Sequence, residues 1–356
     1  VEVNGDIFHN LHLFANPIDK FRPSDKEIQR ALKKKKGSNL IYFGPGVHNL
    51  PNDTLFVPSG TTVYIDGGAR VYGNIFTEGA HDVNIFGRGE VHPDGRGAGV
   101  WVRRSKNVRI DGIVVSQLPI GQCDSVELTN VKSISYYGWG DGMDVFSSSN
   151  VILDGVFCRN SDDCTAVYAS TQGFKGGSNN VLVKNATLWA DVAHPINIGG
   201  HGDPNGMDTV QNVTFRNIDI LDQAEKQIDY QGCLAINPGD NTLVRNITFE
   251  NIRIEDFRNG QLVNFRISFN PKYCVSTGRG IQNVLVKDVT YNGSGENLSI
   301  IAGYDENHKI SGIRFVNLVV NGRKITDDMP GKPKWYKTGD MAGIFIGEHV
   351  ENISFE

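Results

Sequence analysis

NVLVKN, residues 180–185, is one copy of a six-residue motif that recurs from residue 82 to the C-terminus. The motif is Asn, then Val or Ile, any residue, an apolar residue, any residue, and finally Asn, Gly or Asp. The other copies, some with small variations, are DVNIFG (82–87), NVRIDG (107–112), SVELTN (125–130), NVILDG (150–155), NVTFRN (212–217), NITFEN (246–251), NVLVKD (283–288), GIRFVN (312–317) and NISFE (352–356). Alternating apolar residues indicate a half-buried strand, and the flanking Asn and Gly tolerate the left-handed backbone of a tight corner. Each copy therefore predicts one coil of short strands.

The constant motif and its irregular spacing together predict the fold class. Insertions of different length between copies are typical of a solenoid whose strands stack at about 4.8 Å per coil while the insertions emerge at its corners. The 3.6-residue periodicity of a helical solenoid is absent from the sequence. We therefore expect an all-β, single-stranded, right-handed parallel β-helix, with the motif asparagines stacked as a ladder at the corners.

The N-terminal part lacks the motif and contains the one helix that the sequence predicts. This helix runs from Asp25 to about Lys35, with Ser24 as its N-cap. A short helix of this kind can cover the open end of the solenoid, which would otherwise expose apolar side chains and unpaired strand edges. No linker composition divides the chain, so we expect one domain over residues 1–356. Residues 1–80 would form the cap and first irregular coils, and residues 81–356 the regular coils.

Composition excludes several classes of protein. Of 356 residues, 39% are hydrophobic and 21% are charged, which is too few charges for a disordered or coiled-coil protein. The formal net charge of -5, with a single basic run from Lys33 to Lys36, argues against nucleic-acid binding. Five cysteines without a C-x-x-C pair argue against a structural zinc site or a disulfide scaffold. No stretch approaches the roughly 20 apolar residues that span a bilayer.

Acidic residues interrupt the repeat on three consecutive coils. They lie in WGDGMD (139–144) and NSDDC (160–164), and a histidine lies in AHPINIG (193–199). Counted from the start of each motif copy, Asp141, Asp162, Asp163 and His194 have similar phase, which places them on one face of a stacked solenoid. Adjacent residues of a regular strand point to opposite sides, so Asp162 and Asp163 can both face outward only if the strand bends there. Otherwise one of the two is buried.

Three neighbouring carboxylates indicate acid–base chemistry. Carboxylates that repel one another hold a proton to higher pH, which gives an acid and a base in one site. Cleavage of a glycosidic bond requires such a pair. Two other interpretations stay open: calcium binding by the same oxygens, as in a Ca²⁺-dependent polysaccharide lyase, and a non-catalytic glycan-binding β-helix. Asp144 either contacts substrate or braces its own loop.

These motifs resemble the group that joins glycoside hydrolase family 28, the polygalacturonases and their relatives, with family 49, the dextranases and isopullulanases. The resemblance implies a pectin-lyase-like β-helix. Family 28 proteins carry N-T-D-G-(I/M)-D, G-D-D-C and G-H-G-I-S-I-G, which match WGDGMD, SDDC and AHPINIG here. Phrases of family 49 resemble LHLFANPIDKFRPS (11–24), LIYFGPGVH (40–48), VYIDGGARVYG (63–73), NFRIS (264–268) and VNGRKIT (320–326).

The resemblance also implies a role for each site residue. Asp162 would be the general acid that protonates the leaving oxygen. Asp141 and Asp163 would activate a water with inversion at the anomeric carbon, and His194 would tune or orient the acid. No metal or other cofactor is implied.

Substrate contacts are expected from further residues around the cleft. Family 28 ends its site with R-I-K, whose cations bind the substrate carboxylate, but Cys233 to Ile236 occupies the matching strand here. Lys226 or Arg266 either replaces these cations or is a surface charge. Sugar rings would stack on the aromatic side chains that flank the cleft, unless these pack in the core: Trp139, Tyr168, Trp189 and Tyr230.

We therefore expect an inverting glycoside hydrolase that acts on an α-linked polysaccharide or oligosaccharide, with pectin-type and dextran-type substrates both open. Its partner is a carbohydrate rather than a nucleic acid or a membrane, and the sequence does not predict an oligomeric state. Because Val1 to Asn4 do not form a signal peptide, we expect a mature or trimmed form of a secreted or periplasmic protein.

Overall fold

Parallel strands stacked coil upon coil make up most of the chain in this computed structural model, which describes residues 1–33, 37–294 and 296–356. The helices are α1 Asp25–Leu32 and α2 Thr338–Ala342, with a 3-10 turn at Ile228–Tyr230. The first strands are β1 Leu40–Phe43, β2 Gly46–Phe56, β3 Thr62–Ile65, β4 Ala69–Glu78, β5 His81–Gly87, β6 Glu90–His92, β7 Val100–Arg103, β8 Lys106–Asp111, β9 Val114–Val115 and β10 Ile120–Gly121. They are followed by β11 Asp124–Thr129, β12 Lys132–Ile134, β13 Val145–Phe146, β14 Ser149–Asp154, β15 Phe157–Asn160, β16 Thr165–Tyr168, β17 Ser178–Ala190, β18 Ile196–Ile198, β19 Thr209–Asp222 and β20 Leu234–Ile236. The last are β21 Leu243–Ile254, β22 Gly260–Gln261, β23 Val263–Arg266, β24 Gly280–Tyr291, β25 Glu296–Asn297, β26 Ser299–Ala302, β27 Ile310–Val320, β28 Arg323–Ile325, β29 Ile344–Ile346 and β30 Val350–Phe355.

Each coil contributes to three lines of parallel strand pairing. The first line joins β1, β3, β5, β8, β11, β14 and the N-terminal parts of the long strands from β17 to β27, ending at β30. The second joins β6, β9, β12 and β15 to the C-terminal parts of the same long strands. The third joins β7, β10, β13, β16, β18, β20, β23, β26 and β29. The predicted parallel β-helix is confirmed.

Both ends of the repeated motif lie at corners of the coil. In NVLVKN, Asn180 has φ 56° and Asn185 has φ 55°, and the first and sixth residues of the other complete copies are likewise left-handed. Their side chains bond from coil to coil: Asn180 Nδ2 donates to Asn150 Oδ1 at 2.7 Å, and Asn217 Nδ2 donates to Asn185 Oδ1 at 2.7 Å. The motif therefore consists of one short strand between two asparagine-type corners, with the expected ladder.

The apolar residues of the motif fill the interior of the solenoid. Val181 and Val183 are buried, and so are their counterparts on neighbouring coils, in one hydrophobic cluster from Leu50 to Phe355. All five cysteines are free. No helix among the described residues is long and apolar enough to cross a membrane.

Helix α1 begins as the sequence predicts. Ser24 Oγ and its backbone N–H both donate to the Glu27 carboxylate, and Glu27 N–H donates back to Ser24 Oγ at 3.4 Å, which completes a capping box. The helix packs near β1 at the first coil. It ends at Leu32; the predicted end at Lys35 lies outside the described residues, as do Lys34 and Lys36 of the basic run.

Residues 1–23, here called the N-terminal arm, run along the outside of the coils back toward the first coil. Arg159 Nη1 donates to Asn10 Oδ1 at 2.8 Å, and the buried Lys132 ammonium binds Asn16. Nearer the first coil, Tyr64 Oη donates to Asp19 Oδ2 at 2.6 Å. The arm thereby connects coils that are far apart in sequence.

Candidate active site

Three loops on consecutive coils carry the predicted catalytic residues. Asp141 lies between β12 and β13, Asp162 and Asp163 lie between β15 and β16, and His194 lies between β17 and β18. The flanking strands pair from coil to coil, so the loops stack. Carboxylate oxygens of the three aspartates lie within 4.8 Å of one another. Phase counting along the sequence therefore identified residues that the structure brings together.

The adjacent pair Asp162 and Asp163 reaches one cluster because the chain bends there. Strand β15 ends at Asn160 and β16 begins at Thr165, so neither aspartate belongs to a regular strand. Asp163 is buried and Asp162 is half-buried. Both outcomes considered from the sequence thus occur together: the strand bends, and one of the two aspartates is also buried.

Glycines on either side of Asp141 let its loop lie directly on this bend. A Cβ at Gly142 would fall well inside contact distance of the Cys164 carbonyl oxygen, and a Cβ at Gly140 would collide with Ser161 Oγ. Gly142 N–H donates to Asp163 O at 2.7 Å. The G-D-G sequence is therefore required by close approach of two backbones, which fixes Asp141 against the aspartate pair.

Asp163 is held by four hydrogen bonds. Its Oδ1 accepts from the backbone N–H of His194 at 3.1 Å and lies 2.7 Å from His194 Nδ1. Its Oδ2 accepts from Tyr168 Oη at 2.8 Å and from Asn197 Nδ2 at 2.9 Å. Burial acts to raise the pKa of Asp163, but the imidazole of His194 and these hydrogen bonds outweigh it and hold the pKa below its usual range.

The other acids have raised pKa values. Burial, and then the charge of Asp163, raise the pKa of Asp162 to about 7. Burial and the charges of Asp162 and Asp163 raise the pKa of Asp141 well above its usual range. The loops thus hold one carboxylate that stays ionised beside two that retain protons to higher pH.

His194 acts on the predicted acid Asp162 without a hydrogen bond to it. Its hydrogen bond goes to Asp163, not to the predicted acid Asp162. Of the two roles considered from the sequence, tuning or orienting the acid, the structure favours tuning, since the carboxylate that His194 orients is the neighbouring Asp163. His194 acts on Asp162 only through charge, which lowers the pKa of that carboxyl.

Asp144 lies beneath the cluster. It is buried, and its Oδ1 accepts from Ala166 N–H at 3.2 Å. Burial, followed by the charges of Asp141 and Asp163, raises the pKa of Asp144 well above its usual range. Of the two roles considered from the sequence, the structure favours the bracing one.

The four predicted stacking aromatics separate into different positions. Trp139 is 68% exposed beside Asp141, and Tyr230 lies edge-on to the His194 ring at 4.3 Å between centroids. Tyr168 is buried and uses its hydroxyl on Asp163. Trp189 is not in the cleft: it is buried under Arg159, whose guanidinium carbon lies 4.1 Å from its ring centroid. Packing, the alternative that the sequence left open, describes Trp189.

The two candidate cations lie outside the carboxylate cluster. Lys226 is exposed before the 3-10 turn, and Arg266 is half-buried at the end of β23, two strands beyond β18 in the third line of pairing. Among the described residues, no Lys or Arg forms an ion pair with Asp141, Asp162 or Asp163. By geometry, the three carboxylates could hold a divalent cation. The expectation of no metal stays a prediction.

Three site residues escaped the sequence analysis. Asn197 donates to Asp163. The sequence could have identified it, because strand alternation in I-N-I-G places Asn197 on the outward side, which faces the site. Asn160 Nδ2 donates to Asp141 O at 3.1 Å and to two serines, which ties the two acidic loops together. Tyr273 stacks on Tyr230 at 4.8 Å, from a loop that carries no motif.

Comparison with known proteins finds a matching family and related sequences. The profile of the family described as "Glycosyl hydrolases family 28" matches residues 99–329. A polygalacturonase from Juniperus ashei is 26% identical over 295 residues, which cover 73% of this chain and 54% of that protein. The chain spans about half the length of such relatives.

Two solved structures share the fold. The family 28 exopolygalacturonase of Yersinia enterocolitica superposes with a TM-score of 0.64 at 14% identity, over 92% of this chain and 74% of that one. Dex49A from Penicillium minioluteum gives a TM-score of 0.58 at 15% identity, over 89% of this chain and 60% of that one. The resemblance predicted from the motifs is confirmed.

Proposed function

This chain belongs to the glycosyl hydrolases family 28, and on that premise we propose that it hydrolyses α-glycosidic bonds of a polysaccharide or oligosaccharide with inversion at the anomeric carbon. One observation carries the proposal: the half-buried Asp162, whose pKa is about 7, lies against Asp163, whose pKa is below its usual range. The relatives named polygalacturonase favour a pectin-type substrate, and the fold of Dex49A keeps a dextran-type one open. Because such polymers are extracellular, we also propose that the protein acts outside the cytoplasm.

Asp162 is the general acid of the proposed reaction. It carries a proton at mildly acidic to neutral pH, and it is half-buried at the bend, whereas Asp163 is buried. In the transition state it gives this proton to the leaving glycosidic oxygen. The negative charge of Asp163 keeps the proton on Asp162 until the bond begins to break.

Asp141 is the base that takes a proton from water. All four acceptor sites of Asp163 are occupied by His194, Tyr168 and Asn197, so Asp163 has no free site for a water. Asp141 makes no such set of side-chain hydrogen bonds, and its raised pKa makes its carboxylate a stronger base. The productive state therefore carries one proton on the Asp141–Asp162 pair, on Asp162.

The same contacts favour water over a carboxylate as the attacking group. A retaining reaction needs an ionised, accessible carboxylate, but the ionised Asp163 is buried and fully bonded. A retaining pair is usually about 5–5.5 Å apart and an inverting pair about 6.5–9.5 Å, whereas oxygens of this cluster lie within 4.8 Å. A water with two hydrogen bonds of about 2.8 Å still bridges oxygens at that spacing. These contacts exclude Asp163 as the nucleophile, and the assignment of Asp141 as a base rather than a nucleophile is what the stereochemistry of the product tests.

Product stereochemistry tests the proposal. The protein is incubated with a panel of α-linked glycans, and the anomer released first is observed by NMR before mutarotation. We expect inversion, and loss of at least about 10²-fold in kcat for Asp162→Asn, as for removal of a general acid. The exposed Asp94→Asn serves as the matched control. Retention of configuration, or unchanged turnover in Asp162→Asn, would refute the mechanism.

The compact oxygen cluster also suits a cation, which favours one alternative function, a Ca²⁺-dependent polysaccharide lyase. A lyase produces an unsaturated sugar that absorbs in the ultraviolet and loses activity with chelator. We expect chelator-insensitive turnover without that absorbance. A non-catalytic glycan-binding protein would bind the panel without releasing any product.

A further inference from the structure

A shallow pocket adjoins the carboxylate cluster on the coils that follow His194. Its walls include Tyr168, Asn197, Tyr230, Asn237 and Tyr273, and its free volume is about 40 Å³. A water molecule occupies about 30 Å³ in the liquid. The pocket therefore has room for a small substituent of a sugar ring.

No cation lines this pocket. Among the described residues that form its walls, Asp229 is the only Asp, Glu, Lys or Arg, so the only formally charged side chain in the wall is acidic. His201 also lines it, and burial lowers the pKa of this imidazole, which favours its neutral form. Two wall residues, Tyr168 and Asn197, donate hydrogen bonds to Asp163. An ionised carboxylate thus lies directly behind the wall.

The strand register explains why the cation is missing. Strand β20 pairs with β18, which places Ala235 beside Asn197, in the strand where resembling proteins carry R-I-K. Asn237, the next outward residue, donates to Asn264 Oδ1 at 3.1 Å and leaves its own Oδ1 without a partner among the described residues. Arg266 lies on the next coil, on β23, where its carbonyl oxygen accepts from Asn237 Nδ2 at 3.4 Å, but it is not one of the residues that line the pocket.

An anionic substituent would be unstable in such a pocket. It would lose its hydration, meet no Lys or Arg among the described residues of the pocket wall and experience the charge of Asp163, so desolvation and repulsion would both oppose binding. The nearby Lys272 is exposed and already engaged, with Nζ 4.8 Å from the Tyr273 ring centroid and 2.8 Å from Gln227 Oε1. A hydroxyl group, in contrast, carries no charge that must be desolvated, and the stacked pair Tyr230 and Tyr273 offers an apolar wall to the ring carbons.

We propose that this pocket selects a sugar with an uncharged substituent, such as a hydroxymethyl group, at the position where a uronic acid has its carboxylate. The proposal rests on the hydrolase function above and names the substrate class of the same site. A glycan unit bound next to the catalytic carboxylates is therefore neutral, and an acidic unit is excluded from that position.

A matched pair of substrates tests this selection. The probes are an α-1,4-linked oligogalacturonide and its carboxyl-reduced counterpart, which differ only in the charged group. We expect kcat/KM to be at least about tenfold higher for the reduced form, equivalent to about 1.4 kcal/mol. The difference should shrink as salt rises, because salt screens the repulsion of the acidic form.

Added cations provide the second arm. Asn237→Lys and, separately, the half-exposed Ser268→Lys introduce a positive charge in the pocket wall and should shift the preference at least about tenfold toward the acidic probe. Thr214→Lys adds the same charge in a different groove and should leave the preference unchanged. Equal or better turnover of the acidic probe by the unmodified protein would overturn this inference alone. Release of no product from any glycan would instead refute the proposed hydrolase.

Discussion

Replacing the general acid Asp162 with asparagine should stabilise the protein while it abolishes turnover. The pKa of Asp162 rises from 3.8 to about 7 on folding because the carboxyl is buried beside the charge of Asp163. The native state therefore binds this proton more tightly than the unfolded state does. By linkage, the contribution of this proton to the free energy of unfolding is fully present below pH 3.8. It is lost as the pH rises through about 7.

The size of the effect follows from the same shift. Each pKa unit corresponds to about 1.4 kcal/mol, so ionising Asp162 costs at most roughly 4 kcal/mol above pH 7. Asparagine removes that charge and keeps an acceptor oxygen for Asp163 N–H, which now donates to Asp162 Oδ1 at 3.0 Å. The gain in Asp162→Asn should thus grow from near zero at pH 4 to its maximum at pH 8.

Equilibrium urea unfolding at several pH values measures this gain. The free energy of unfolding is compared for the unmodified protein, Asp162→Asn and the exposed control Asp94→Asn, which removes the same charge from a turn. We expect the control to show no pH-dependent gain. A stability difference that is flat from pH 4 to pH 8, or that favours the aspartate at pH 8, would show that Asp162 is not held in its protonated form and would refute the assignment of the acid.

Three further outcomes follow from the geometry. The pH profile of kcat/KM should fall about tenfold per unit above pH 7, since the acid must be protonated, and an aryl glycoside whose leaving group needs no proton should lose that limb. Gly142→Ala should lose most activity and lower the free energy of unfolding by several kcal/mol in thermal unfolding. The control Gly138→Ala, whose Cβ would be 3.9 Å from its nearest neighbour, should behave as the unmodified protein. Equal behaviour of the two variants would contradict the close approach of the backbones at Asp141. Trp139→Ala should raise KM by about 2–12-fold, equivalent to about 0.5–1.5 kcal/mol of ground-state stacking on its exposed ring, with little change in kcat. An unchanged KM would remove Trp139 from the substrate cleft.

The solenoid could be predicted because its physical causes are local. Alternation in NVLVKN identifies a strand, and the terminal Asn180 and Asn185 identify corners, where both residues adopt left-handed φ. The stacking of coils then follows from repetition, and phase along the repeat brought Asp141, Asp162 and His194 together. No long-range information was needed for either step.

The remaining features depend on contacts that have no local signature. The direction of the His194 hydrogen bond depends on the bend at Ser161 to Asp163, where strand alternation does not apply. Trp189 is buried because Arg159 and the N-terminal arm lie over it, a contact between residues far apart in sequence. Tyr273 approaches the site on a loop between β23 and β24, whose path the repeat does not specify.

The absence of Lys and Arg from the described pocket wall also helps to keep the pKa of Asp162 high. A cation within about 4–6 Å of a carboxyl lowers its pKa by about 1–3 units, so a lysine or arginine in the pocket would favour the ionised form of the nearby acids. The proton on Asp162 would then be lost at lower pH, and the acid would fail at neutrality. If so, Asn237→Lys should move the alkaline limb of kcat/KM for the neutral probe to lower pH, while Thr214→Lys should leave it near pH 7. In Asn237→Lys the substrate preference could shift toward the acidic probe while the alkaline limb stays in place. That result would show that the pocket selects substrate charge independently of the pKa of Asp162.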